Sequence, residues 1–137
     1  MQKLFNDILV PVDFSRHSQR TFEKAIDMAN KYDCNIHLLH VVSISPTDEL
    51  SLSKGNEFAL ISFINKQEKL ECELAGLRAK YEDELQNDRT IYTHLQKGSW
   101  DECIINFVLQ NKVDVVVTGL QSIGWGKKRK FLNYTKK

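Results

Sequence analysis

The segment GLQSIGWGKKRKFLN, residues 119–133, contains the residue types that bind phosphate groups in proteins. Glycine lets backbone amides approach a ligand closely, and lysine or arginine neutralises phosphate charge. Gly119 and Gly124 have the glycine spacing of a P-loop. Trp125 stands at the lysine position and Gly126 at the hydroxyl position, which excludes a Walker motif. The dinucleotide-binding fingerprint is excluded too, because cations follow where its third glycine is needed.

The four cations at residues 127–130 have two interpretations. A run of like charges is usually a solvated face of the protein. Its position beside a probable ligand-binding edge favours the other interpretation, in which the cations neutralise ligand phosphates. Both interpretations stay open.

Asp13 follows the apolar run ILVPV, which is typical of a strand buried on both faces. In an open parallel sheet, ligands bind beyond the carboxyl ends of the strands, where the strand order reverses. Asp13 and Gly119 are therefore expected to flank a ligand crevice. The alternative is structural, because an acid beside a helix start stabilises free backbone N–H groups. Ser15 is interpreted as the helix cap.

The histidines and cysteines of the sequence do not indicate catalysis or metal binding. His37 and His40 are three residues apart on a predicted strand and point to opposite faces of the sheet. His17 and His94 have no evident partner in the sequence. Cys103 lies beside apolar residues in a predicted amphipathic helix, which favours a small buried residue over a nucleophile. No catalytic residue and no metal ligand is predicted, and the chain is not expected to be an enzyme.

These side chains must be positioned by strands that alternate with helices. The alternation predicts a three-layer α/β/α doubly wound parallel sheet, Rossmann-like, with right-handed crossovers. The predicted strands cover residues 8–12, 35–42, 90–95 and 113–119, and the predicted helices begin after Ser15, at residue 57 and at Ser99.

Residues 43–56 lack periodicity and mix Pro, Gly, Ser and Asp, so a mobile connection is predicted there. The segment FALISFI, residues 58–64, opens the long helix and is apolar on nearly every side. We expect it to pack under the preceding connection. The alternative is a surface offered to a partner.

Length and charge limit the classes of protein to consider. The 137 residues fit one domain, residues 1–137, with a single core. A formal net charge of +1 argues against general binding to nucleic acid or to an anionic membrane. No apolar run approaches the ~20 residues of a membrane span, and no secretory leader is evident. We therefore expect a cytoplasmic location. The three cysteines are widely separated and indicate neither a disulfide framework nor a zinc site.

The chain resembles the universal stress protein family. The opening ILVPVDFS, the strand NIHLLHVV and the strand VDVVVTG carry the similarity, which spans most of residues 5–121. The resemblance implies a flavodoxin-like sheet in the order 3-2-1-4-5, frequent homodimers and, in one branch, bound ATP without an obvious catalytic apparatus. Carried over by position, Pro11, Val12, Asp13 and Val41 would line an adenine pocket, and Gly119 would begin the phosphate loop.

The chain departs from the family's ATP-binding pattern in the phosphate loop. Ser122 occupies the position of the second glycine, Leu132 that of the third, and Asn133 that of the hydroxyl residue. Because a side chain there blocks the approach of backbone amides, the departures predict weakened or absent ATP binding. The candidate nucleotide-binding residues are Pro11, Val12, Asp13, Val41, Gly119, Ser122, Lys127 and Lys128.

Two functions follow from the resemblance. The first is a regulatory module of the stress response that is not an enzyme and acts by protein contact, as a homodimer or with another protein. The alternative is a module that binds ATP or another adenine nucleotide with Mg, through Asp13 and Gly119, with the cations 127–130 at the phosphates.

The end of the chain also differs from the family. The family continues through a last helix and an apolar fifth strand, whereas this sequence stops at YTKK. A fifth strand is therefore predicted to be absent, in a domain that is C-terminally truncated or half of a tandem protein. Strand four would then need a partner chain or a rearranged tail to cover its edge.

Overall fold

A computed structural model describes residues 6–86, 88–118 and 131–133. It has one parallel sheet in the order β3-β2-β1-β4-β5. This order confirms the doubly wound α/β fold, since consecutive connections move outward from β1 in one direction and then in the other. The strands are β1 (Asp7–Pro11), β2 (Asn35–Val42), β3 (Ile91–Lys97), β4 (Val115–Thr118) and β5 (Phe131–Asn133).

The prediction that the fifth strand is absent was wrong. β5 pairs in parallel with β4, with Val116 opposite Phe131 and Thr118 opposite Asn133. β5 has three residues, which is shorter than the runs of four to eight residues that reveal a buried strand in a sequence. The segment beside β4 is therefore the short β5 and not an open edge.

Four helices connect the strands: α1 (Arg16–Tyr32), α2 (Pro46–Ser53), α3 (Glu57–Tyr81) and α4 (Trp100–Asn111). Each begins with a side-chain cap, in which Ser15, Ser45, Asn56 or Ser99 accepts a hydrogen bond from the backbone N–H three residues later. Such caps satisfy N–H groups that have no partner inside the helix. A 3₁₀ turn, Glu82–Glu84, follows α3. Among the described helices, none is long and apolar enough to cross a membrane.

The interpretation of residues 43–56 as a connection without regular structure was wrong, because α2 lies within it. Ser45 caps α2, Pro46 occupies its first turn, and Asp48 and Glu49 favour the positive end of the helix dipole. None of its residues is buried. An exposed helix of two turns has no apolar periodicity, which explains why the pattern missed it.

The two faces of the sheet have separate apolar cores. α1 and α3 cover one face, where Phe22 meets the ring edge of Tyr81 with 5.1 Å between the ring centroids. The Tyr81 hydroxyl lies 2.7 Å from Gln19 Nε2 and 2.5 Å from Glu23 Oε2. α4 covers the other face, where Ile104 and Phe107 pack against apolar residues of β1, β2 and β4. The sheet is thus held from both sides.

The first half of α3 extends past these cores. Leu74 is the first buried residue of the helix, seventeen positions after its start at Glu57. Four large apolar residues of the FALISFI segment are exposed, with Phe58 87% exposed. The expectation that this segment packs under the preceding residues was therefore wrong for most of its side chains, and the alternative of an outward-facing surface describes the molecule.

Candidate functional site

A small crevice opens at the carboxyl ends of β1, β2 and β4, next to the start of α1. This is the place where the strand order reverses, and ligands bind there in open α/β sheets. The cavity has a volume of about 150 Å³. It is lined by Pro11, Val12, Asp13, His17, Ser18, Thr21, His40, Val41, Trp100 and Thr118.

The crevice brings together half of the residues predicted from the sequence. Pro11, Val12, Asp13 and Val41 all line it. The other four candidates, Gly119, Ser122, Lys127 and Lys128, and the cations 127–130 as a group, lie outside the described residues. A role of any of the eight in ligand binding stays a prediction.

A tight turn leads from β1 into the crevice. The Val12 N–H donates to the Leu39 carbonyl at 2.9 Å, which extends the β1–β2 pairing by one residue. Phe14 then adopts a left-handed backbone with φ of +65°. For a bulky residue this conformation costs roughly 1–2 kcal/mol, and the ring of Phe14 offsets part of the cost by packing 4.7 Å from the His40 ring. The turn aims Asp13 and Ser15 at the first turn of α1.

Asp13 makes the structural contacts that the second interpretation of this residue predicted. Its Oδ1 accepts from the Ser15 N–H at 3.0 Å, and its own N–H donates to Ser18 Oγ at 3.3 Å. Burial raises the pKa of Asp13, but hydrogen bonds from Ser15 and Ser18 outweigh it and the pKa is lowered overall. The crevice therefore contains an ionised carboxylate at neutral pH.

His40 is a site residue that the sequence analysis missed. Its Nδ1 lies 2.7 Å from the Val12 carbonyl oxygen. A carbonyl oxygen only accepts, so Nδ1 carries the hydrogen and Nε2 is the acceptor of the neutral ring. His40 adjoins the predicted Val41, but its contact with Val12 depends on the pairing of β1 with β2 and leaves no signal in the sequence.

Five further lining residues were missed: His17, Ser18, Thr21, Trp100 and Thr118. Three of them give a partial signal, because His17 and Ser18 lie four and three residues before Thr21 and therefore share one face of α1. Thr21 Oγ1 donates to the His17 carbonyl at 3.1 Å. Thr118, at the end of β4, is buried. Together these residues add polar groups to a crevice that Pro11, Val12 and Val41 line with apolar side chains.

The described residues offer little for metal binding or covalent chemistry. They contain no group of three or more His, Cys, Asp or Glu side chains that could hold a metal ion. Cys103 is buried, and its Sγ lies 3.7 Å from the Lys97 carbonyl oxygen. Burial raises the pKa of the Cys103 thiol. A protonated thiol is a poor nucleophile, so this geometry fits the structural role expected for the residue.

A pair of histidines beside Phe107 of α4 corrects another expectation. His94 was expected to lack an evident partner, but its Nε2 lies 3.0 Å from His37 Nδ1. His37 Nε2 lies 3.1 Å from Asp7 Oδ1. Since the carboxylate accepts, the neutral His37 carries its hydrogen on Nε2 and receives the His94 N–H at Nδ1. His37 and His40 face different neighbours, as the strand periodicity predicted.

The histidine pair should make folding stability depend on pH. Burial lowers the pKa of His94, and the adjacent His37 lowers it further. The unfolded chain, with a His pKa of about 6.5, then binds more protons than the folded one, so stability is complete above about pH 6.5 and falls as the pH drops below it. The slope for one proton is at most about 1.4 kcal/mol per pH unit.

Urea unfolding of the protein and of His94→Gln between pH 5 and pH 8 tests this expectation. The variant should lose less stability on acidification than the parent chain. Equal slopes in the two proteins would contradict the assignment.

Comparison with known proteins gives a consistent result. A model of the universal stress protein family matches residues 4–133. A universal stress protein of Methanocaldococcus jannaschii is 27% identical over 118 residues, which cover 86% of this chain and 66% of that protein. The matched region thus spans slightly less than two thirds of that relative.

Two solved structures share the fold. A universal stress protein family member from Burkholderia pseudomallei has a TM-score of 0.73 at 14% identity and covers 97% of this chain and 98% of its own. A universal stress protein family protein from Arabidopsis thaliana with AMP bound has a TM-score of 0.57 at 18% identity and covers 93% and 90%. At these identities the likeness shows the fold alone.

Proposed function

This chain belongs to the universal stress protein family, and we propose that it is a regulatory module of the stress response that is not an enzyme and acts by protein contact. In this proposal, ATP binding is weak or absent. Its partner is a second copy of the chain or another protein, and its location is the cytoplasm. The observation that carries the proposal is the exposed apolar surface on α2 and α3.

That surface consists of five large apolar side chains. Leu50, Phe58, Leu60, Ile61 and Ile64 are each 45–87% exposed. They lie on two consecutive helices that pack against each other. Monomeric soluble proteins rarely expose grouped large apolar residues unless the patch binds something. Binding through such a patch does not require a ligand in the crevice.

Three features of the crevice argue that it binds triphosphates weakly or not at all. A volume of about 150 Å³ is below the roughly 300–1,000 Å³ of typical ligand pockets. No Lys or Arg is among its described lining residues, and the Asp13 carboxylate repels phosphate. At the start of α1, a natural anion site, Ser15 Oγ already accepts the Ser18 N–H and Asp13 Oδ1 accepts the Ser15 N–H, so two N–H groups already have a partner. The described part of the crevice therefore suits an adenine base better than a phosphate chain.

An adenine nucleotide with Mg is the second candidate function. The observation in its favour is that Pro11, Val12, Asp13 and Val41 line one cavity, with apolar walls that suit a base. The Arabidopsis relative has AMP bound, and its fold is shared. In this candidate, Asp13 and Gly119 hold the nucleotide and the cations 127–130 neutralise its phosphates. A nucleotide would serve as a bound signal and not as a substrate.

Calorimetric titration of Mg-ATP and of AMP into the purified protein separates the two functions. We expect no measurable heat at millimolar Mg-ATP and no rise in melting temperature. Any binding should be weaker for ATP than for AMP, because the described crevice lacks cations. Tight Mg-ATP binding would overturn the proposal in favour of the second candidate.

Two variants of Asp13 make a positive result interpretable. Asp13→Asn keeps an oxygen that accepts the Ser15 N–H and removes the charge, whereas Asp13→Ala also removes the hydrogen bond at the start of α1. The loss of such a bond costs about 0.5–2 kcal/mol of stability. Binding that is weaker in both variants assigns a ligand role to the carboxylate. Asp27→Ala, on the exposed side of α1, is the matched control.

A further inference from the structure

The outer face of α3, defined here as Leu60, Ile61 and Ile64 with Glu57, Glu68 and Glu71, combines exposed apolar and acidic side chains. We propose that this face binds a cationic amphipathic helix of a partner protein. The inference rests on the proposed function, since it names the surface and the partner chemistry of a module that acts by contact.

Helical geometry places these six side chains on one side of α3. At about 100° per residue, all six fall within an arc of roughly 100°. Leu74 and Tyr81, which are buried in the core, and Leu77, which packs against it, form a separate arc. Leu60, Ile61 and Ile64 are 49%, 56% and 45% exposed. The helix thus has an apolar stripe that packs inward and a second apolar stripe that faces solvent.

Between residues 57 and 71, the charged side chains within this arc all have one sign. Arg78 shares the arc about two turns further along, where it pairs with Glu82. Glu57 precedes the apolar residues, and Glu68 and Glu71 follow them within the same arc. None of the three carboxylates forms an ion pair within the described residues. Lys66 and Lys69 project from other sides of the helix, about 120–180° from Glu57. The outer face is therefore apolar at its centre and acidic at both ends.

A second copy of the chain is a poor occupant for this face. In an antiparallel pairing centred on residues 60–64, the Glu57 of each copy lies near the Glu68 of the other. In a parallel pairing, each glutamate faces its own counterpart. Like charges placed opposite each other destabilise helix pairs, so charge repulsion disfavours both arrangements. The glutamates also repel the phosphates of nucleic acid and of anionic lipids.

A cationic amphipathic helix complements both the apolar centre and the acidic ends of the face. Its apolar side chains cover Leu60, Ile61 and Ile64, and its lysines or arginines meet the glutamates at the two ends. This is the recognition mode in which a helix presents anchors at three- and four-residue spacing to an apolar surface. Because the apolar core of the contact excludes water, the flanking charges select the partner.

Three synthetic eighteen-residue peptides provide the test, measured by fluorescence anisotropy at 0.15 M salt. The first consists of leucine and lysine in a helical amphipathic order, the second has glutamate in place of lysine, and the third has the first composition in alternating order. The first should bind at least about tenfold more tightly than the other two. Equal binding of all three would overturn the proposal.

Variants assign the binding to the face. Ile61→Ser with Ile64→Ser should weaken binding of the leucine–lysine peptide at least about tenfold. Leu109→Ser, at a 73% exposed position on α4, is the matched control and should not change it. Glu57→Lys, Glu68→Lys and Glu71→Lys combined should reverse the preference toward the leucine–glutamate peptide. Circular dichroism confirms that each variant keeps its helices, and an unchanged preference would contradict the charge argument.

Three further outcomes separate the failure of this inference from the failure of the proposed function. A concentration-dependent dimer in sedimentation that Ile61→Ser with Ile64→Ser dissociates would assign the face to a second copy and overturn the proposal. Absence of peptide binding together with silent ATP titration would overturn this surface alone. Tight Mg-ATP binding would contradict the proposed function whatever the peptides do.

Discussion

Phe22→Ala should lower the free energy of unfolding by about 3–5 kcal/mol, the usual cost of removing a fully buried aromatic ring. Phe22 has 0% exposure and lies at the centre of the core between α1, α3 and the sheet. Its ring also meets the edge of Tyr81, whose hydroxyl connects α3 to Gln19 and Glu23 of α1. The cavity therefore weakens the packing that ties the two helices together.

Urea unfolding followed by circular dichroism measures this loss, with Phe58→Ala as the matched control. The control removes the same ring from a position that is 87% exposed, so it should change stability by less than about 0.5 kcal/mol. If Phe22→Ala does not fold, Phe22→Leu keeps most of the volume and should show a smaller loss. A comparable loss from Phe58→Ala would contradict the position of the first half of α3.

Phe107→Ala should cost a similar 3–5 kcal/mol and should also change how stability depends on pH. Phe107 is 2% exposed in the core beneath α4. Its ring meets the imidazoles of His37 and His94 edge-on, with centroid distances of 5.5 Å and 4.6 Å. Removal of the ring admits water beside both imidazoles. The burial that lowers the pKa of His94 is then reduced, and acidification below about pH 6.5 destabilises the variant less steeply.

Phe22→Ala serves here as the control, because it removes the same ring from the other face of the sheet. Unfolding at pH 5.5 and pH 7.5 should give the parent slope for Phe22→Ala and a smaller slope for Phe107→Ala. The same slope in both variants would show that Phe107 packs beside the histidines without influencing the titration of His94. Phe107→Leu is the milder change if the alanine variant is unfolded.

The sequence predicted the parts of the fold that have strong local signals. Continuous apolar runs marked β1, β2 and β4, and Ser15 and Ser99 marked the starts of α1 and α4 through the hydrogen bonds that caps make. α2 and β5 were missed because one has no buried residue and the other has only three residues. Neither length nor burial left a pattern to detect.

The crevice was predictable in part. Asp13 follows from the carboxyl end of β1, whereas Pro11, Val12 and Val41 were predicted through the resemblance to the universal stress protein family; all four line the crevice. The contact of His40 with the Val12 carbonyl depends on how β2 lies beside β1, and the His37–His94 pair depends on the register of β2 with β3. A register is a tertiary property, so one sequence without homologues does not reveal it.

The first and last turns of α3 contribute differently to stability, because its buried residues begin only at Leu74. From Leu74 onward its side chains keep the domain folded, whereas the preceding turns contribute no buried residue. Substitutions on the outer face therefore meet little thermodynamic penalty, since exposed positions change stability by about 0.5 kcal/mol or less. Under the proposed function, the partner can therefore change through substitutions confined to a few solvent-facing turns, while the stability of the domain is kept.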